Sequence, residues 1–220
     1  MGTSSRRKIP RLEEMLDKIK YDENNNMSLS DFKQVLLKLF FPRGKKSIQY
    51  DNIIKSVSSD SFSKSLKKII NYSNSYKSSG ISGFGISGLS NYSFEEQVDI
   101  IADSIAESEN PELKQTIKDI IYANGIDGTF NNTFSLIIEV IKNYIERKIQ
   151  GDLVEEFAQR NEKFTDSNFY SLLDSAIAES IIKVITNEKV NSLVINCQDE
   201  SFISKWTDEN VSLIIEGAVI

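Results

Sequence analysis

From Ser93 onward, apolar residues recur three or four positions apart in one segment after another, and that period leaves few folds open to the chain. Phe94, Val98, Ile101, Ala102 and Ile105 make one stripe; Leu113, Ile117, Ile120 and Ile121 the next. Phe134, Ile137, Ile138, Ile141 and Ile145 follow, then a short piece with Leu153, Val154 and Phe157. A long stripe of Phe169, Leu172, Leu173, Ala176, Ile177, Ile181 and Ile185 comes after it. Each such helix has one apolar face, and short connections oblige neighbouring helices to bury those faces against one another.

The punctuation between stripes agrees. Ser93 and Glu96 have capping-box spacing: the hydroxyl meets the third amide and the carboxylate reaches back. Asn110-Pro111 opens a helix with proline in the first turn, where its missing N–H costs nothing, and Asn124-Gly125 closes it. Asn132 or Thr133 starts the next, which Gly151 is expected to end; Thr165 or Asp166 starts the long one. Ser192 to Cys197 reads as a strand or a helix edge. Asp208 to Ala218 reads as a final helix with Trp206 packed beneath it. The predicted fold is all-α, an antiparallel helical bundle over 93–220.

What precedes the bundle has a different chemistry. Residues 1–90 carry 16 Lys and Arg against 8 Asp and Glu, whereas 91–220 carry 10 against 24. So large a split implies two surfaces with different partners, or an arm that folds onto its own body. The expected organisation is a basic, partly flexible arm with short helices over 1–77, a Gly/Ser-rich hinge over 78–92, and an acidic bundle domain over 93–220. Helical spacing in the arm falls over Arg11–Lys20, Ser30–Phe41, Asp51–Val57 and Phe62–Ile70. In the last, Phe62, Leu66, Ile69 and Ile70 lie opposite Lys64, Lys67 and Lys68, a face suited to nucleic acid, anionic lipid or an acidic protein, or simply to water.

Two stretches invite a ligand. Asp22, Asn24, Asn26 and Ser28 take positions one, three, five and seven of a calcium loop, with Leu29 at eight. Met27 replaces the turn glycine and Lys33 the bidentate glutamate, so a polar loop leading into a helix cap is the better reading. Gly83-x-Gly85-x-x-Gly88 spells a dinucleotide fingerprint, but Asn71 to Lys77 makes a poor buried strand ahead of it and no βαβ pattern surrounds it. A conformational role for Gly80, Gly83, Gly85 and Gly88, as hinge or surface-hugging connector, is the alternative.

The composition excludes several chemistries. The chain has no histidine and one cysteine, Cys197. A Ser-His-Asp or Cys-His nucleophile cannot be built, His/Cys zinc sites are excluded, and no internal disulfide can form. Cys197, in an apolar run, reads as a core thiol. No catalytic motif stands out, so no enzyme activity and no cofactor are expected. No apolar run approaches the roughly 18 residues of a membrane span. Arg6, Arg7 and Lys8 are not followed by an apolar segment, as a secretory signal requires, so a cytoplasmic protein without membrane attachment is expected. Arg6 also stands where a myristoylation pattern needs Ser or Thr.

One family enters on the order of parts. The start Met1-Gly2-Thr3-Ser4, the Lys-rich Ser/Tyr segment Phe62–Lys77, the glycine joint Gly80–Gly88 and the helical body together resemble QatB-like proteins, the small non-enzymatic component of Qat antiphage systems. The resemblance is architectural over 60–220 and literal for the first four residues. It implies neighbours: an ATPase, a QueC-like enzyme that activates a carboxylate with ATP and joins it to an amine, and a TatD-like nuclease. It further implies that Gly2, freed of Met1, offers an unhindered amine to the QueC-like partner, with Thr3 and Ser4 beside it. The chain would then be an antiviral-defence adaptor or substrate. Two other readings stay open: a nucleic-acid-associated protein using the basic third, and an oligomeric scaffold.

Overall fold

The computed structural model describes residues 28–40, 48–57, 59–106, 110–158 and 167–219. Within them the chain is all-α: nine α-helices and two short 3-10 turns, with no strand among the described residues. They are α1 (Leu29–Phe40), α2 (Ile48–Val57), α3 (Asp60–Ser79), 3-10 turns over Gly80–Phe84 and Leu89–Asn91, α4 (Phe94–Ile105), α5 (Pro111–Phe130), α6 (Thr133–Ala158), α7 (Ser167–Val184), α8 (Asn187–Ile195) and α9 (Glu200–Val219).

Local chemistry explains most boundaries. Ser59 caps α3 by accepting the Phe62 amide at 3.2 Å. At α4 both halves of the capping box are made: Ser93 accepts the Glu96 amide at 3.3 Å, and Glu96 accepts the Ser93 amide at 2.9 Å. Asn110 caps α5 through the Leu113 amide. Asp199 caps α9, accepting the amides of Ser201 and Phe202 and the Ser201 hydroxyl. Those bonds, the Ser201 hydroxyl first, hold its carboxyl below the usual range.

Three boundaries differ from the sequence expectation, and at a fourth one of two readings holds. Helix α3 does not stop near Ile70 but runs to Ser79, because Ser73 and Tyr76 extend its buried face past the lysine-rich piece. Gly151 does not end α6; the helix passes through it to Ala158. At 192–197 the strand reading fails and the helix edge holds: the stretch is the end of α8 and a turn. The last helix begins at Glu200, so Trp206 belongs to α9 rather than lying beneath it, and its indole N–H donates to the Lys189 carbonyl at 3.1 Å. The break expected at Asn124-Gly125 is present as a kink: Gly125 sits at φ 69°, ψ 167° inside α5, a conformation that favours glycine.

The buried residues join in one hydrophobic core drawn from both ends of the charge split. Helix α3, from the basic third, lies at its centre and packs on α2, α4, α5, α6 and α9. Helix α9, the last of the acidic body, packs in turn on α1, α2, α3, α7 and α8. Leu66, Ile69 and Ile70 of α3 are essentially inaccessible, as are Phe32 and Leu36 of α1. Burying a Leu or Ile side chain contributes roughly 1.5–3 kcal/mol. Cross-segment ion pairs such as Lys33–Glu179 (3.1 Å) and Lys67–Glu200 (3.3 Å) are partly exposed and contribute about 0–1 kcal/mol each. Apolar burial therefore holds the basic segment on the acidic one, and the opposite charges follow the packing.

Where α3 meets α5 and α6 the contact is polar at its rim. The buried Ser73 hydroxyl lies 2.7 Å from both the Phe130 carbonyl and the Thr133 hydroxyl, and Lys77 donates to the Thr133 hydroxyl at 2.6 Å. Nearby, Tyr144 stacks on Phe62 with ring centroids 4.9 Å apart and accepts from the Asn110 side chain at 3.1 Å. Burial pushes the Tyr144 phenol above its ordinary range.

Candidate functional site

Gly2, Thr3 and Ser4, the residues expected to meet a partner enzyme, lie outside the described residues, as do Asp22, Asn24 and Asn26 of the calcium-loop pattern. The described end of that pattern is committed elsewhere. Ser28 accepts the Asp31 amide at 3.1 Å and donates to its carboxylate, a helix cap. Lys33, at the twelfth position, pairs with Glu179 on α7. Lys33 and Lys183 together hold the Glu179 carboxyl below its usual range, the Lys183 hydrogen bond most strongly.

The glycine stretch packs rather than cradles. Phe84 and Leu89 are buried, and Phe84 contacts the rings of Tyr72, Tyr76 and Phe130 at centroid distances of 5.1, 5.4 and 4.9 Å. Several amides of the stretch are already used: Gly80 donates to Tyr76, Gly85 to Ser82, Leu89 to Ile86 and Asn91 to Gly88. A Cβ on Gly83 would fall 2.3 Å from the Ser75 carbonyl oxygen, so here glycine permits two backbone segments to touch. The segment, expected as a hinge or a surface-hugging connector, thus forms a seam closed onto α3.

The lysine face of α3 is divided. Lys67 bonds Glu200 and the Gln198 carbonyl, and Lys77 bonds Thr133. Lys64 is exposed and Lys68 half-buried. Cys197 is buried beside Asn71, as a core thiol would be.

The residue that sequence reading missed is Glu146 on α6. Its side chain is 14 % exposed, and Lys142 Nζ is 3.7 Å from its Oε1, an ion pair too long for a hydrogen bond. That oxygen has no hydrogen-bond partner. Lys142 is instead bound to Asp174 of α7. Burial drives the Glu146 carboxyl up to about 7, with Lys142 opposing and the Asp174 carboxylate adding to the rise. Burial opposes a charged Lys142, but the bond to Asp174 and the field of Glu146 prevail and raise its pKa. The signal was invisible in sequence because an acidic residue on an amphipathic helix is ordinarily solvated. A carboxyl poised near neutrality can accept or release a proton. A groove of about 680 Å³ lies elsewhere, where Lys55 and Asp60 face Glu200, Lys205 and Asp208. Among the described residues no three carboxylates or thiols converge as a metal site would require, and no helix is long and apolar enough to cross a membrane.

No family model matches the chain, and no curated protein or solved structure matches it.

Proposed function

We propose that the chain is a non-catalytic helical adaptor or substrate protein in prokaryotic antiphage defence, presenting Gly2, with Thr3 and Ser4, to a QueC-like partner enzyme. The setting and the partner come from the resemblance to QatB-like proteins. One structural observation supports the passive role. Groups of the two stretches that invited a ligand, the amides of Gly80, Gly85, Leu89 and Asn91 together with Lys33 and Ser28, are spent on capping, turns and pairing the helices. In this reading the helical body is the holder and the amine of Gly2 the acceptor of an activated carboxylate.

Intact-mass measurement of the chain produced with and without the partner enzyme tests this. A mass increment that Gly2→Pro abolishes is expected; identical masses would remove the substrate role.

A second reading has its own observation. Lys64 and Lys68 stand one turn apart on α3, neither paired with an acidic residue among the described residues. They would neutralise phosphates if the chain is nucleic-acid-associated. Gel-shift titration at two salt concentrations decides it, since phosphate contacts make affinity fall steeply with salt.

A further inference from the structure

Lys142 of α6 stands within reach of two carboxylates and bonds one of them. Its ammonium is bound to Asp174 of α7, which ties the two helices together. Glu146, one turn along α6, lies 3.7 Å from the same ammonium, and its near oxygen is buried without a hydrogen bond. The two carboxylates differ in their access to water: the Asp174 side chain is 50 % exposed and that of Glu146 14 %. A released Asp174 would be hydrated, whereas an ionised Glu146 without a counter-ion would be a nearly buried bare charge, which costs far more. When both are ionised the lysine therefore stabilises more at Glu146. When Glu146 is neutral it has no charge to compete with, and the lysine stays with Asp174.

The surroundings leave this contest to the three groups. Helix α6 packs on α2, α3, α5, α7 and α8. On the α5 side Asp119 is held by Arg147 and Glu112 by Lys148. On α3, Lys67 bonds Glu200, and Lys77 bonds Thr133 at the start of α6; Asp60 and Lys64 are exposed and Lys68 half-buried. Asp51 and Lys55 of α2 and Glu188 of α8 are exposed, and Lys189 of α8 bonds Asn210. On α7, Tyr170 is half-buried one turn before Asp174, and Glu179 is held by Lys33 and Lys183. The charges that act most strongly on Glu146 are Lys142 and Asp174, and Asp174 favours its neutral form.

We propose that Lys142 is a proton-controlled latch: while Glu146 is neutral it ties α6 to Asp174 of α7, and when Glu146 ionises it turns to Glu146 and lets the tie between the helices go. The proposal goes beyond the reading of Gly2 as acceptor and does not rest on it. Burial, opposed by Lys142 and aided by the Asp174 carboxylate, lifts the Glu146 carboxyl to about 7. The tie is therefore present below that pH and lost as pH rises through it.

Denaturant melts of the full chain at pH 6 and pH 8 read the latch. Asp174→Asn should raise the unfolding constant about threefold at pH 6, the worth of one partly exposed ion pair, and leave it unchanged at pH 8, where the parent has already let go. In a Glu146→Gln background the same substitution should cost about threefold at both pH values, because glutamine brings no charge to draw the lysine away. Glu209→Gln, which removes the acceptor of an exposed pair with Lys205 on α9, is the control and should have the same small effect at both. An equal effect of Asp174→Asn at pH 6 and pH 8 in the parent, none at either included, would overturn the latch. So would an effect that still changes with pH once Glu146 is glutamine.

Discussion

Three serines of α3, Ser61, Ser63 and Ser65, hold hydroxyls that are buried without a hydrogen-bond partner, whereas Ser73 on the same helix is fully engaged. A buried unsatisfied hydroxyl costs about 1–3 kcal/mol, and removing it recovers part of that. Ser65→Ala is therefore expected to raise the melting temperature by a few degrees. Ser73→Ala should lower it by a similar amount, since it removes the hydroxyl that bonds the Phe130 carbonyl and the Thr133 hydroxyl, leaving Thr133 with Lys77 alone; thermal melts of the two variants read the contrast directly. Glu146 gives the second prediction at this scale. Its folded pKa, about 7, is above its unfolded value near 4.5, so the unfolded chain releases this proton first. The stability it supports is complete below pH 4.5, falls as pH rises to 7, and is level above that. Glu146→Gln should match the parent near pH 4.5 and exceed it at pH 8, by on the order of 1–3 kcal/mol. Denaturant melts across this range that showed a constant difference between the two would contradict the buried, ionisable Glu146.

Among the elements, α6 and the glycine seam show how the same residue type serves opposite ends. Gly151 lies within the helix, exposed, with open space where a Cβ would go. Gly151→Ala should stabilise α6 by about 1 kcal/mol through helix propensity alone. At Gly83 the Ser75 carbonyl occupies that space, so Gly83→Ala must push the 3-10 turn off α3 and should lower the melting temperature. The two melts, run side by side, test the seam. The caps at Ser93 and Asn110 and the break at Gly125 were readable because such signals act through neighbours in the chain. The termination at Gly151 was misread because nothing local tells a tolerated helical glycine from a C-terminal one; packing on both sides decides.

At the scale of the whole molecule, the charge split does not mark a split in packing. The described part of the basic segment supplies α3, which lies between helices of the acidic body, and α9 closes over α1, α2 and α3. Unfolding one segment would expose the core of the other, so the described body should melt in a single cooperative transition, with calorimetric and van't Hoff enthalpies equal. Two resolved transitions would restore the picture of an arm beside a bundle. Lys33→Ala and Lys67→Ala together should cost no more than about 1–2 kcal/mol, because exposed ion pairs contribute little. The sequence by itself determined that the chain is helical, most of where its helices start, and which faces are apolar, since period and caps act within a few residues. Tertiary structure alone decided that α3 sits at the centre, that Phe94 and Tyr122 stay outside, and that Glu146 is cut off from water. Those outcomes depend on which apolar faces meet across long separations, and period within a helix gives its buried side but not the partner that will cover it.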